Sequence, residues 1–110
     1  MNGEAAARNE ALFRKVNERI EDVSSTVPRD DAAMEFLCEC DRPGCYERVN
    51  ATRAEYEAVR ASPTHFIVLP GHEDRSVEHV THSTDRFFVV EKEGVAAVEA
   101  AETDPRSNTD

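Results

Sequence analysis

Three cysteines lie within one eight-residue stretch, and thiolate groups at this spacing can bind a metal ion. Cys38, Cys40 and Cys45 form a Cys-x-Cys-x4-Cys pattern around an Asp-Arg-Pro-Gly sequence that favours a tight turn. Thiolates are preferred ligands of Zn²⁺, which takes four ligands in tetrahedral geometry. An odd number of cysteines does not suit a disulfide framework. We therefore predict a Zn²⁺ site with three cysteine ligands.

The fourth ligand of this site must come from elsewhere, because the chain has no other cysteine. His72 follows a Pro70-Gly71 turn at the end of an apolar run, where the backbone is expected to be ordered. We predict His72 as the fourth ligand. The alternatives that the spacing leaves open are His79, His82, a carboxylate such as Asp41 or Glu73, and a water molecule. An iron–sulfur cluster on the same ligands, or three buried thiols without metal, also remains open.

The hydrophobic pattern predicts an N-terminal helix ahead of the cysteines. Apolar residues recur there at spacings of three and four, with charged residues between them, which is typical of an amphipathic helix. Asn9 can cap its start, and a Ser-, Thr- and Pro-containing stretch ends it near residue 24. The side chains expected to face the core are Leu12, Phe13, Val16, Ile20 and Val23.

The rest of the chain alternates between strand and helix signals. Strands are predicted at 34–40, 46–49, 65–69, 77–81 and 86–92, with the last two forming a hairpin. Thr52 followed three residues later by Glu55 is a capping box, which predicts a short helix to about Ala61, and 95–102 is a marginal helix. We predict an α+β fold, in which the amphipathic helix packs on a small antiparallel sheet with a metal-clipped knuckle and the short second helix.

Composition points to a thin core and an acidic surface. Leu, Ile, Val and Phe make up 22 of 110 residues, and the net charge is −10. A bound metal would stabilise such a core, because its binding free energy adds to that of folding. We expect a frayed segment over 1–8, a single metal-stabilised domain over 9–102 and a disordered acidic tail over 103–110. The acidic charge argues against nucleic acid and anionic membrane surfaces as partners.

Targeting signals are also absent from the sequence pattern. No run of 18 apolar residues could span a bilayer, and the first residues lack the basic and apolar pattern of a secretory signal. The expected location is therefore the cytoplasm. We expect a monomer or a weak homodimer.

Several segments resemble a family of small uncharacterised proteins from high-GC bacteria. The resemblance lies in 36–40, Gly44-Cys45, 55–60, Pro70-Gly71-His72-Glu73 and 89–92, together with parts of 9–20, and it covers roughly 9–92. The cysteine pattern also resembles that of structural zinc-knuckle proteins. The resemblance implies that the cysteine segment and the Pro-Gly-His-Glu segment belong to one module. It implies no activity.

The sequence favours a protein-interaction or regulatory module over an enzyme. His72-Glu73 beside three thiolates suggests a small metalloenzyme as an alternative, but the His-x-Glu and Pro-Cys-x2-Cys motifs of zinc deaminases are missing. A thiol-based metal or redox sensor is a further alternative. Tyr and Arg are enriched at interaction hot spots, and a rigid clipped turn loses little entropy on binding. The residues predicted to bind a partner are Arg42, Tyr46, Tyr56 and Arg60.

Overall fold

The described residues form three helices and five strands. The computed structural model describes residues 3–24, 33–42 and 44–106, with the side chains of the first helix described over 9–22. The elements in chain order are α1 (Gly3–Ser24), β1 (Ala33–Leu37), β2 (Arg48–Thr52), α2 (Arg53–Arg60), β3 (His65–Val68), β4 (Glu78–Ser83), β5 (Phe88–Lys92) and α3 (Gly94–Glu102).

The strands form two small antiparallel sheets. This confirms the α+β class, although one sheet was expected instead of two. β1 pairs with β2, and the second sheet has the order β3-β5-β4. The β4–β5 hairpin is present as predicted, with a register shift between Val80 and His82. A backbone hydrogen bond of 2.8 Å from Glu39 N to Ile67 O joins the segment after β1 to β3. The chain therefore connects its two sheets immediately beside the cysteines.

The starts of the first two helices follow from local chemistry. The capping box of α2 is confirmed, since Thr52 Oγ1 accepts from Glu55 N at 3.1 Å and Glu55 Oε1 accepts from Thr52 N at 2.8 Å. Helix α1 begins at Gly3 rather than at Asn9. Alanine has the highest helix propensity, and the alanines at 5–7 extend the helix toward its start. The described helix therefore includes backbone ahead of the predicted cap at Asn9.

The inward face of α1 differs from the one expected, and this is a correction to the prediction. Leu12 and Val16 are 55% and 37% exposed, whereas Arg14 and Asn17 are fully buried. Phe13 is buried and Ile20 packs against the core cluster, while the side chain of Val23 lies outside the described residues. The reason is that the polar side chains find buried partners.

Arg14 shows how a charged side chain can occupy this inward face. It donates to Pro63 O at 2.7 Å and to Ala100 O at 2.6 Å, and its guanidinium lies 4.2 Å from the centre of the Phe66 ring. Charge-assisted hydrogen bonds and cation–π contact offset the loss of hydration. Arg14 therefore links α1 to α3 and to the second sheet.

The apolar core lies between the two sheets and under α2. Phe36 and Tyr56 stack with ring centroids 4.3 Å apart, which fixes α2 over the first sheet. The second sheet contributes Phe66, Ile67, Val68 and Val90, all at most 1% exposed. Cys38, Cys40 and Cys45 belong to the same core cluster. The predicted ligands are thus part of the folded interior.

Side-chain contacts continue past the end of α3 at Glu102. Asp104 is buried and forms an ion pair with Arg60, and Arg106 pairs with Glu18 and Glu57 at 2.8 and 2.6 Å. These contacts join the segment after α3 to α1 and α2. Residues 107–110 of the expected tail lie outside the described residues.

Candidate metal centre

The four predicted metal ligands lie together at one end of the two sheets. Cys38 and Cys40 follow β1, Cys45 precedes β2, and His72 comes from the turn after β3. One ligand atom from each residue lies within 4.8 Å of all the others. His72 Nδ1 is 3.6 Å from both Cys38 Sγ and Cys45 Sγ. This group could hold a metal ion.

Two glycine-containing turns place Cys45 and His72. Cys45 N donates to Arg42 O at 3.2 Å, and His72 N donates to Leu69 O at 3.0 Å, so each ligand closes a turn. The residue before each ligand is a glycine with positive φ, 78° at Gly44 and 90° at Gly71. This region of backbone conformation favours glycine because it has no Cβ. The two turns predicted from the sequence therefore aim both ligands at the same point.

Two hydrogen bonds hold the cysteine loop against the His72 turn. Leu69 N donates to Cys38 Sγ at 3.2 Å, which directs a peptide dipole toward the sulfur. Arg42 Nη2 donates to Gly71 O at 2.6 Å on the outer side of the cluster. Both contacts join residues that are about thirty positions apart in the chain. The position of His72 relative to the cysteines is therefore fixed by the fold.

The electrostatics of the cysteines favour a negative charge on Cys40. A hydrogen bond from the Cys38 thiol, assisted by His72 and by the backbone N–H of Arg42, lowers the pKa of Cys40 to about 4. The same thiol contact, together with burial, raises the pKa of Cys38, and burial raises that of Cys45. A thiolate surrounded by further sulfur and nitrogen donors is suited to a soft cation.

Glu39, between two of the cysteines, was missed by the sequence reasoning. Its buried carboxylate accepts from Asn17 Nδ2 at 2.8 Å, from Tyr56 Oη at 3.1 Å and from Ile67 N at 3.1 Å. These three donors come from α1, α2 and β3. Glu39 therefore fixes the backbone between Cys38 and Cys40 to α1, α2 and β3. An acidic residue in a strand-like alternation gives no sign of such burial.

The alternative fourth ligands lie elsewhere or have other partners. His79 on β4 contacts Glu93, which precedes α3, and His82 is exposed on β4. Glu73 accepts a hydrogen bond from Gly71 N at 2.9 Å and forms an ion pair with Arg75. Its carboxylate therefore makes contacts within the turn. Asp41 is buried, and burial together with a hydrogen bond to Asp74 raises its pKa to about 7.

The four residues predicted to bind a partner fall into two groups. Arg42 and Tyr46 are exposed beside the cysteine loop, and Tyr46 is 71% exposed. The side chains of Tyr56 and Arg60 are buried, where Tyr56 contacts Glu39 and Arg60 pairs with Glu18 and Asp104. The structure therefore leaves Arg42 and Tyr46 accessible, while Tyr56 and Arg60 stabilise the fold.

Comparisons of the chain with protein-family models, with curated proteins and with solved structures found no match. Within the described part of the chain, no helix has the length and apolar character needed to cross a membrane.

Proposed function

We propose that this is a small zinc-binding protein in which Cys38, Cys40, Cys45 and His72 bind one structural Zn²⁺. The observation that carries this proposal is the pair of 3.6 Å distances from His72 Nδ1 to the sulfurs of Cys38 and Cys45. Bond lengths of about 2.3 Å to sulfur and 2.0 Å to nitrogen place two such ligands of a tetrahedral Zn²⁺ about 3.5 Å apart. The His72 nitrogen thus already lies at the spacing that one ion requires from two of the three sulfurs.

The choice of Zn²⁺ follows from the types of ligand and their separation. Three sulfur donors and one imidazole suit Zn²⁺ better than the hard cations Mg²⁺ and Ca²⁺, which prefer oxygen. An iron–sulfur cluster places several of its own atoms between the ligands and holds them farther apart than a single ion does. The mutual separation of at most 4.8 Å therefore favours one ion.

A structural role for the ion is supported by the number and origin of its ligands. Four protein ligands fill a tetrahedral shell, whereas catalytic zinc keeps a position open for water or substrate. Three ligands flank the two-stranded β1–β2 sheet and the fourth follows β3 of the other sheet. An isolated two-stranded sheet is only marginally stable. We infer that the ion fastens this sheet to the rest of the domain.

Elemental analysis and thermal unfolding test this proposal. Protein purified without added metal should contain one zinc per chain. Chelation should remove about 3 kcal/mol or more of stability, which lowers Tm by at least about 12 °C. His72→Asn should lose most of the zinc, while the control His82→Asn, which changes an exposed histidine, should keep it. Full stability after complete removal of zinc would contradict a structural role.

A protein-interaction role is supported by an exposed tyrosine next to this centre. Tyr46 directly follows Cys45 and contacts Phe13 of α1, with ring centroids 5.7 Å apart. Leu12 and Val16, which are close to Phe13 in the sequence of α1, are also exposed. Tyrosine is an amphipathic contact residue, and a metal-clipped turn presents it rigidly. We propose that Arg42 and Tyr46 contact a partner protein.

Affinity capture with variant baits tests this second part. Tyr46→Ala and Arg42→Glu should each lose a partner that the unchanged protein captures. Val95→Ala changes an equally exposed apolar residue on α3 and serves as the matched control. Zinc content and Tm must be checked for each variant. A partner that binds all four proteins equally would show that this surface is not the interface.

A further inference from the structure

The three sulfurs of the metal centre form an oxidisable group as well as a set of ligands. Cys38, Cys40 and Cys45 each carry a free thiol, and their sulfur atoms lie within 4.8 Å of one another. Peroxides convert thiolates to sulfenic acids, which condense with a neighbouring thiol to form a disulfide. Such a reaction at this centre would remove two ligands of one metal ion at once. The positions of the cysteines relative to β1 and β2 decide which two sulfurs are joined.

The register of β1 and β2 sets Cys40 opposite Cys45. Their antiparallel pairing continues past the last residues of both strands, through a 2.9 Å hydrogen bond from Cys38 N to Glu47 O. Two further steps toward the turn bring Cys40 and Cys45 to opposite positions. Opposite residues in an antiparallel pair have Cα atoms about 4.5–5.5 Å apart and side chains on the same face. A disulfide joins Cα atoms about 4.4–6.8 Å apart, so the register gives this pair a spacing that a disulfide can bridge.

Cys38 is held by other contacts. It lies opposite Glu47, two residue steps farther from the turn than Cys40. Its sulfur accepts a hydrogen bond of 3.2 Å from Leu69 N, which follows β3 of the second sheet. This sulfur is therefore fixed toward the second sheet, whereas the other two face each other across the turn.

Cys45 is the cysteine that a dissolved oxidant reaches first. It is 9% exposed, whereas Cys38 and Cys40 are at most 1% exposed. Its chain neighbours Gly44 and Tyr46 are both exposed, so it lies at the rim of the cluster. Reactive cysteines are partially exposed, while fully buried ones are inert. A small oxidant such as hydrogen peroxide therefore meets Cys45 before it meets the other two.

On the basis of the zinc centre proposed above, we propose that hydrogen peroxide oxidises Cys45 and that a Cys40–Cys45 disulfide then forms and releases the Zn²⁺. The Cys45 thiolate attacks a peroxide oxygen, so that an S–O bond forms, the O–O bond breaks and hydroxide leaves. The Cys40 thiolate attacks the Cys45 sulfur, so that the S–S bond forms, the S–O bond breaks and a second hydroxide leaves. Two protons from solvent convert both hydroxides to water. The two sulfurs together have given two electrons to one peroxide.

The consequence of this step is the loss of the link between the two sheets. Cys38 and His72 remain as ligands, and two ligands do not complete the shell of a structural Zn²⁺. The disulfide spans only the turn between β1 and β2, so it does not replace the link to His72. Oxidation should therefore lower Tm, and reduction by a thiol should restore both thiolates and the zinc site.

Peroxide treatment of the zinc-bound protein tests this switch. A chromophoric chelator should detect the loss of the one zinc per chain, and dithiothreitol followed by added Zn²⁺ should restore it. Cleavage after Glu39 and Glu47 leaves Cys38 on one peptide and both other cysteines on 40–47. After alkylation without reduction, mass spectrometry should find 40–47 lighter by two hydrogen atoms and unalkylated, and should find Cys38 alkylated.

Serine variants, oxidised without zinc, provide the matched controls. Cys38→Ser should still form the disulfide, and Cys45→Ser should not. Circular dichroism checks that each variant is folded, and the peptide map of the unchanged protein decides the pairing if one is not. A disulfide through Cys38, or sulfinic acid without a disulfide, would overturn the proposal.

Zinc measurements separate this switch from the metal centre itself. Zinc that stays bound under excess peroxide would overturn the switch and leave the metal centre standing. A protein that contains no zinc before oxidation would overturn both. Release of zinc together with the Cys40–Cys45 disulfide would support both.

Discussion

The guanidinium of Arg42 donates a 2.6 Å hydrogen bond to the carbonyl oxygen of Gly71. This contact connects the loop that carries Cys40 and Cys45 to the turn that carries His72. Arg42 lies outside the ligand cluster and has no role in coordination. Its effect on the metal centre is to hold the two ligand-bearing segments in register before an ion binds.

Arg42→Met should therefore weaken Zn²⁺ binding without preventing folding. Loss of one exposed charge-assisted hydrogen bond amounts to about 1 kcal/mol, or roughly a fivefold rise in Kd. Competition against a chromophoric chelator measures this change. Arg48→Met, which alters an exposed arginine on β2, is the control. An unchanged Kd for Arg42→Met would mean that the contact does not organise the site.

Asn17→Ala should be among the most destabilising substitutions in α1. Asn17 Nδ2 donates to Leu37 O at 2.9 Å and to Glu39 at 2.8 Å, and its Oδ1 accepts from Leu37 N at 2.7 Å. Removing the amide leaves buried groups of β1 unpaired, and we expect a loss of about 2–4 kcal/mol. Urea unfolding measures it, with exposed Asn50→Ala as the control. A loss below about 1 kcal/mol would contradict this role.

Truncation at the C-terminus should separate the contacting residues from the final four. A chain that ends at residue 102 loses Asp104, the buried partner of Arg60, and also Arg106. Arg60 would keep Glu18, so we expect a loss of about 2–4 kcal/mol rather than complete unfolding. A chain that ends at 106 retains these ion pairs. Equal thermal stability of the two chains would show that they contribute little.

The stability of the domain should depend on pH through Glu10. Burial raises the pKa of its carboxyl from 4.5 to about 7, although Lys92 partly opposes this. The folded state therefore keeps a proton that the unfolded state releases above pH 4.5. The stabilisation from this group is present below pH 4.5 and is lost as the pH rises through 7, by on the order of 2–3 kcal/mol.

Glu10→Gln removes this titration and isolates its contribution. Relative to the unchanged protein, the variant should gain stability between pH 5 and pH 8, as measured by urea unfolding at both values. Zinc binding changes with pH equally in both proteins and cancels in the comparison. Glu102→Gln, at an exposed position, should show no such gain. If the stability difference for Glu10→Gln were the same at both pH values, Glu10 would not be the group that titrates.

Local sequence signals predicted most of the helices and strands, and they identified the candidate ligand residues. The capping box at Thr52 and Glu55 marks the start of α2, and the Gly44 and Gly71 turns mark the loops that carry ligands. These features depend on residues close in sequence. His72, rather than His79, lies at the cysteines. Its position at a turn that follows a buried strand is the sequence feature that indicated it.

Features that depend on distant partners could not be predicted. Arg14 and Asn17 lie on the inward face of α1 because their partners are on β1, on α3 and before β3. From the sequence, such residues are indistinguishable from a solvated helix face. The burial of Glu39 and the contacts of Asp104 have the same origin. Polar groups enter an interior only where specific partners meet them, and sequence spacing does not reveal those partners.

X-ray absorption at the zinc edge tests the central claim most directly, because it reads the ligands of the bound ion. Cys38, Cys40, Cys45 and His72 predict three sulfur atoms at about 2.3 Å and one nitrogen at about 2.0–2.1 Å. The Cys40→Ser variant should show one sulfur fewer. A shell of oxygen and nitrogen atoms without sulfur, or a purified protein without zinc, would contradict the account.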